Sequence, residues 1–91
     1  MRIRWLSIAE RDISRLYDFL ADVSPNAAAT RIQHIVASVR TLADHPRIGL
    51  RRDEYGPDEV RSLHVGDYEV RYQVFDDEIA ILRVWHTRED R

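Results

Sequence analysis

The sequence predicts an α+β domain in which a helical hairpin packs on one face of a mainly antiparallel sheet. In the first half of the chain, two stretches repeat apolar residues at helical spacing. In the second half, three short runs rich in β-branched and aromatic residues are separated by tight-turn residues. The predicted order is strand, helix, helix, strand, strand, strand. Residues 1–91 are expected to form a single domain with one core.

The chain is expected to open with a short strand over residues 2–6, where charged and bulky side chains alternate. Ser7 and Glu10 have the spacing of a capping box, which predicts a helix start. The helix is expected to run from about residue 8 to 22, since apolar residues recur along it at helical spacing. These residues are Ala9, Ile13, Leu16, Tyr17 and Leu20.

Ser24 and Pro25 predict a second helix, because serine caps a helix and proline at its first position loses no hydrogen bond. This helix is expected to end near Asp44, before Pro46. The short linker between the two helices predicts an antiparallel hairpin. The second apolar stripe consists of Ala28, Ile32, Ile35, Val39 and Leu42.

A long loop is expected over residues 45–59, which contain two prolines, two glycines and no sustained period. Long loops in compact domains are often functional. Three strands follow, over residues 60–65, 68–75 and 78–86, and they are joined by two-residue turns at Gly66-Asp67 and Asp76-Asp77. These strands predict an antiparallel meander.

Two-residue turns fix the register of the strands, so the side chains of the meander can be assigned to faces. The core face is expected to carry Leu63, Val65, Tyr68, Val70, Tyr72, Val74, Ile79, Ile81 and Trp85. The other face is expected to carry Ser62, His64, Glu69, Arg71, Gln73, Leu82, Val84 and His86. Apolar residues on this second face predict a cover, for which a bound partner is one candidate. One extra residue in either turn would swap the downstream faces.

Composition and charge exclude several classes of function. The chain has no cysteine, which excludes disulfides, thiolate catalysis and cysteine-based zinc sites. A net charge of −2 argues against nucleic-acid binding by bulk charge, and specific DNA binding by the chain alone is not expected. The histidines lack the spacing of a zinc site and the glycines that of a phosphate loop, so no metal or cofactor is expected. Without a signal peptide or membrane span, a cytoplasmic protein with no membrane partner is expected.

Several arginines have either a structural or a binding role according to the sequence. Arg61 and Arg83 fall on the predicted core face, where each must reach the rim or pair with a carboxylate such as Asp12, Asp18 or Glu59. The long loop contains a basic cluster interleaved with acidic residues, which is either a solvated loop or a docking surface. Its arginines are Arg47, Arg51 and Arg52.

Three segments carry a resemblance to a known family. They are P-R-I-G-L at residues 46–50, R-x-L-x-V-G-x-Y-x-V-x-Y at 61–72, and I-L-R-V-W-H-x-R-E-D at 81–90. Their order and spacing resemble the RelE/ParE superfamily of toxins from bacterial type II toxin–antitoxin modules, over essentially the whole chain. The resemblance implies one of two activities. RelE-like members cut messenger RNA in the ribosomal A site, whereas ParE-like members poison DNA gyrase without nuclease residues.

The resemblance also implies a cognate antitoxin that is ParD-like, DNA-binding and dimeric. Cutting RNA needs a general acid, a general base and positive charge, which Arg61, His86 and Arg88 would supply if they converge. However, the chain contains no lysine, and Arg88 is followed by two acidic residues. The ParE-like reading is therefore favoured, with the ribosome-dependent nuclease as the alternative and a toxin retained only as a binding module as a third possibility.

His86 itself has three readings: a hydrogen-bonded strand-end residue, a partner contact, or a catalytic acid or base. Under the favoured reading it belongs to the residues expected to contact the target or the antitoxin. These are Arg47, Arg51, Arg52, Arg71, Leu82, Val84, His86 and Arg88.

Overall fold

The computed structural model describes residues 1–89 and confirms the α+β architecture, with two helices packed on a five-stranded sheet. The elements in chain order are β1 (Arg2–Trp5), α1 (Ser7–Ala21), α2 (Pro25–Arg40), β2 (Leu50–Arg51), β3 (Val60–Val65), β4 (Tyr68–Val74) and β5 (Glu78–His86). Short 3-10 turns follow α2 at Thr41–Ala43 and lie in the long loop at Asp53–Tyr55. No helix within the described part of the chain is long and apolar enough to cross a bilayer.

The sheet has the order β1-β5-β4-β3-β2, and its only parallel pair among residues 1–89 is that of β1 with β5. The sequence did not predict β2, which lies inside the expected loop. A strand of two residues is too short to show a period, so its pairing with β3 is decided by tertiary contacts.

The two helices begin in different ways. The predicted Ser24 cap of α2 is confirmed, since the Ser24 hydroxyl accepts the Ala27 N–H at 3.3 Å. The predicted capping box of α1 is wrong: Leu6 is the cap residue, and no side chain caps the helix. The Leu6 N–H donates to the Ile81 carbonyl at 3.1 Å, which continues the contact between β1 and β5. Pairing with the sheet therefore fixes the point at which α1 starts.

A bulge in β5 changes the faces of the last strand. Tyr72 is opposite Ile81, whereas Arg71 is opposite Arg83, so β5 contains one extra residue at Leu82. Both turns have two residues, as expected, and the second is closed by the Phe75 N–H on the Glu78 carbonyl at 2.8 Å. The extra residue that swaps the faces thus lies inside β5 and not in a turn.

As a consequence, the predicted faces of Arg83, Val84, Trp85 and His86 are wrong. Arg83 lies opposite Arg71 of the outer face. Val84 lies opposite Val70 on the helix side and is fully buried. His86 lies opposite the core residue Tyr68. Trp85 instead faces outward, because it lies opposite Glu69. The core, between the helices and the sheet, contains Ala9, Leu16, Ile35, Val39, Leu42, Val65, Tyr68, Val70, Tyr72, Val74, Ile79, Ile81 and Val84.

The outer face of the sheet is covered by side chains of the same chain. Val60 and Ala80 are both buried there. The Arg71 guanidinium carbon lies 4.7 Å from the centre of the Trp85 ring and 5.8 Å from that of the Tyr55 ring. A partner is therefore not needed to cover this face, in contrast to what the sequence suggested.

Candidate functional site

An apolar trough lies on the helix side of the molecule, beside the ends of β4 and β5. Its volume is about 560 Å³. We call it the helix-side trough and define it by its lining residues, which are Arg15, Leu16, Phe19, Leu20, Arg31, Asp67, Tyr68, His86 and Glu89. Its lining is mainly apolar, with charged residues among it, which is the composition of a site that binds a peptide or another protein surface.

The helical repeat explains why α1 contributes the apolar wall of the trough. Leu16 and Leu20 are four residues apart on the stripe that faces the core, and Phe19 lies beside them. Phe19 is 72% exposed and Val23, just beyond the helix, is 88% exposed. Large apolar side chains exposed next to a concave surface are typical of a binding site for another polypeptide.

His86 closes one side of the trough and is held by local contacts. Its ring packs edge-on against the Tyr68 ring, with centroids 5.2 Å apart. Its Nδ1 accepts the Arg88 N–H at 3.1 Å. Of the three roles considered for His86, the structure shows that of a hydrogen-bonded residue at the end of a strand. His86 also lines the trough, where a partner would contact it.

A second cluster lies on the outer face of the sheet, and we call it the outer-face cluster. Its members are Tyr55, Ser62, His64, Glu69, Arg71 and Trp85. Glu69 is buried, accepts a hydrogen bond from Ser62 Oγ at 2.8 Å and pairs with Arg71. Arg71 also donates to the Tyr55 hydroxyl at 2.9 Å. The sequence predicts that Ser62, His64, Glu69 and Arg71 share one face of the sheet. It does not predict the cluster, because it assigns Trp85 to the core face.

Burial raises the pKa of Glu69, but the hydrogen bonds from Ser62 and Arg71 outweigh it and hold the pKa below its usual range. Burial likewise opposes the charge of Arg71, yet its bonds to Tyr55 and Glu69 raise its pKa. The guanidinium is thus neutralised by one carboxylate and covered by two aromatic rings. It offers little free positive charge to a phosphate.

The three residues predicted for RNA cleavage do not form one cluster, because Arg61 lies apart from the adjacent His86 and Arg88. Arg61 lies opposite Tyr72 and is bonded to Glu59 at 2.8 Å, whereas His86 lies opposite Tyr68 on the other side of β4. Four residues of strand separate these two positions, or about 13 Å along β4. Arg88 is exposed in the turn after β5.

The remaining predicted contact residues are largely paired. Arg47, Arg51 and Arg52 bind the carboxylates of Glu59, Asp53 and Glu54, respectively, so the basic cluster is balanced in charge. The sequence predicts for Arg61 and Arg83 a carboxylate partner such as Asp12, Asp18 or Glu59, and the structure pairs them with Glu59 and Asp12, respectively. Leu82 is half-buried in the bulge. Val84, expected to contact a partner, lies in the core, because the bulge turned it inward.

No group of three histidine, aspartate or glutamate side chains within residues 1–89 is placed to hold a metal ion.

Known proteins are similar to this chain in sequence and in fold. A family model described as the ParE toxin of the type II toxin-antitoxin system, parDE, matches residues 3–91. Toxin RelE3 of Caulobacter vibrioides is 30% identical over 83 residues, which cover 91% of this chain and 90% of that protein.

Two solved structures are similar over almost the whole chain. The chromosomal ParDE TA system from P. aeruginosa superposes with a TM-score of 0.78 and 28% identity, covering 94% of this chain and 95% of that one. The toxin-antitoxin complex RelBE2 from Mycobacterium tuberculosis superposes with a TM-score of 0.59 and 29% identity, covering 93% and 95%. At nearly equal identity and coverage, the backbone superposes better on the ParDE structure.

Proposed function

Because this chain belongs to the ParE toxin family of type II toxin–antitoxin systems, we propose that it arrests growth by inhibiting DNA gyrase and that a cognate antitoxin neutralises it. The toxin has no catalytic chemistry of its own in this proposal. The antitoxin is a ParD-like, DNA-binding dimer, and one of its segments occupies the helix-side trough.

The trough supports the proposal of an antitoxin partner. An amphipathic segment placed there would cover Phe19 and the apolar floor, and burial of apolar area is favourable by about 25 cal/mol per Å². Grooves of this kind accept amphipathic helices through apolar residues at helical spacing. Both structural relatives come from toxin–antitoxin systems.

The observation that carries the choice of gyrase over the ribosome is the separation of the nuclease candidates. Arg61 is on β3 and His86 is on β5, so β4 lies between them. In the outer-face cluster, Glu69 neutralises the charge of Arg71. Transition-state stabilisation in RNA cleavage needs preorganised positive charge at one point. The better superposition on ParDE agrees with this choice.

The proposal is tested by adding the purified chain to two reactions. We expect loss of supercoiling by DNA gyrase, and intact transcripts in a cell-free translation reaction. If a small reading frame beside the gene encodes the antitoxin, its co-expression should restore growth. Cut transcripts with fully active gyrase would favour the ribosome-dependent nuclease instead. Normal growth, active gyrase and intact transcripts would contradict both activities.

A further inference from the structure

The mouth of the helix-side trough already holds a carboxylate, and the chain itself supplies it. Glu89 Oε1 accepts a hydrogen bond from Arg15 Nη1 at 3.1 Å, and its Oε2 lies 3.0 Å from the same nitrogen. The backbone N–H of His86 donates to Oε1, also at 3.1 Å. A guanidinium and a backbone N–H directed at one carboxylate are the elements of charge-assisted recognition.

A short turn after β5 brings Glu89 to this position. The Glu89 N–H returns to the His86 carbonyl at 2.9 Å, and the Thr87 N–H donates to the Asp67 carbonyl at 2.8 Å. The side chain of Arg15 is 46% exposed and that of Glu89 is 29% exposed. Ion pairs this exposed change an equilibrium by only several-fold, so another carboxylate can replace Glu89.

Charges around the trough indicate which group would replace it. Arg15 also lies 3.6 Å from Asp12, and Asp67 lines the trough as a further acid. Arg31, on α2, lines the trough and has no ion-pair partner among residues 1–89. If Glu89 withdraws, the mouth loses one negative charge, which an incoming carboxylate restores.

We propose that Arg15 and the His86 N–H form a carboxylate-binding subsite of the trough, which Glu89 occupies in the free protein and an acidic residue of the partner occupies in the complex. The partner is a peptide segment that carries this acidic residue next to its apolar ones. Its identification as the antitoxin rests on the function proposed above. Glu89 is then a competitor built into the toxin, and it lowers the affinity of the trough for its partner.

The subsite can be tested in the isolated protein with two dyes. The first, 8-anilinonaphthalene-1-sulfonate, combines an apolar ring system with an anion, and N-phenyl-1-naphthylamine has the rings without the charge. We expect the substitution Glu89→Gln to tighten binding of the anionic dye by about two- to fivefold, the range of a partly exposed ion pair. Binding of the uncharged dye should change much less.

Two further variants serve as controls. The double variant Arg15→Gln/Glu89→Gln should lose the gain, because it lacks the guanidinium. Glu54→Gln removes an exposed carboxylate that pairs with Arg52, outside the trough, and should bind both dyes as the wild type does. Circular dichroism and thermal unfolding must show that each variant is folded. Equal affinity of wild type and Glu89→Gln for the anionic dye would overturn the proposal, as would an equal gain with the uncharged dye.

The same variant separates this proposal from the proposed function. If the neighbouring reading frame encodes the antitoxin, Glu89→Gln should bind that antitoxin several-fold more tightly than the wild type, and weaker binding would overturn the competition. If that protein does not bind the wild type at all, the antitoxin assignment fails, while the dye measurements still decide whether the subsite exists.

Discussion

At the scale of single residues, Tyr72 shows how one hydroxyl fixes the long loop against the sheet. Its oxygen accepts the Gly49 N–H at 3.0 Å and donates to the Pro46 carbonyl at 2.8 Å. Burial raises the pKa of this hydroxyl, which keeps it protonated as a donor. A Cβ at Gly49 would lie 2.6 Å from the hydroxyl and 2.7 Å from the Ser62 carbonyl, so the close approach requires glycine.

The substitution Tyr72→Phe should lower the free energy of unfolding by about 1–3 kcal/mol, since it leaves the buried Gly49 N–H without its partner. Urea unfolding measures this change. Tyr17→Phe, at an exposed tyrosine of α1, is the matched control and should lie within about 0.5 kcal/mol of the wild type. A Tyr72→Phe protein as stable as this control would show that the hydroxyl does not hold the loop.

At the scale of elements, buried Asp12 joins α1 to β5 where β1 has ended. Strand β1 pairs with β5 only as far as Ile81 within the described residues. Further along β5, Asp12 Oδ2 accepts the Val84 N–H at 2.9 Å and binds Arg83 Nε at 2.8 Å. This hydrogen bond, the largest influence on Arg83, raises the pKa of its guanidinium. A carboxylate thus replaces the missing strand and protects the free edge of the sheet.

We expect Asp12→Ala to lower the free energy of unfolding by about 2–4 kcal/mol, because it removes the carboxylate that accepts hydrogen bonds from the Val84 N–H and the Arg83 guanidinium. Asp12→Asn keeps an acceptor for the N–H and should lose less. Asp18→Asn, on an exposed position of the same helix, should have little effect. Chemical denaturation of the three variants compares them. Equal stability of Asp12→Ala and Asp18→Asn would show that Asp12 does not tether the helix.

At the scale of the whole molecule, glutamates pair with arginines and neutralise their positive charge. Glu59 pairs with Arg47 and Arg61, and Glu69 with Arg71. Burial raises the pKa of Glu59, but its hydrogen bonds to the two arginines outweigh it, so both glutamates have pKa values below the usual range. Among residues 1–89, such pairs neutralise the charge of these three arginines.

These pairs predict how acid acts on the fold. A carboxyl whose pKa is lower in the folded state than in the unfolded state stabilises the protein above its unfolded pKa, about 4.3 for glutamate, and this contribution is lost as the pH falls through the folded value. Glu69→Gln removes one such group. Its free energy of unfolding should therefore fall less between about pH 5 and pH 3 than that of the wild type.

Urea unfolding at a series of pH values measures this difference, with the exposed Glu10→Gln as the control that keeps the wild-type slope. Equal pH dependence of Glu69→Gln and the wild type would contradict the contribution assigned to Glu69.

The sequence by itself determined the two helices, the three strands of the meander and both tight turns, because helical spacing, alternation and turn residues are local signals. It also indicated that Arg61 and Arg83 need a carboxylate partner, with Asp12, Asp18 and Glu59 as candidates, and the structure pairs Arg61 with Glu59 and Arg83 with Asp12. Only the tertiary structure decided the two-residue strand β2, the start of α1 and the bulge at Leu82. A bulge has no sequence period, and one extra residue turns every later side chain of its strand to the opposite face. For this reason the trough, whose wall includes His86, was located by the structure and not by the sequence.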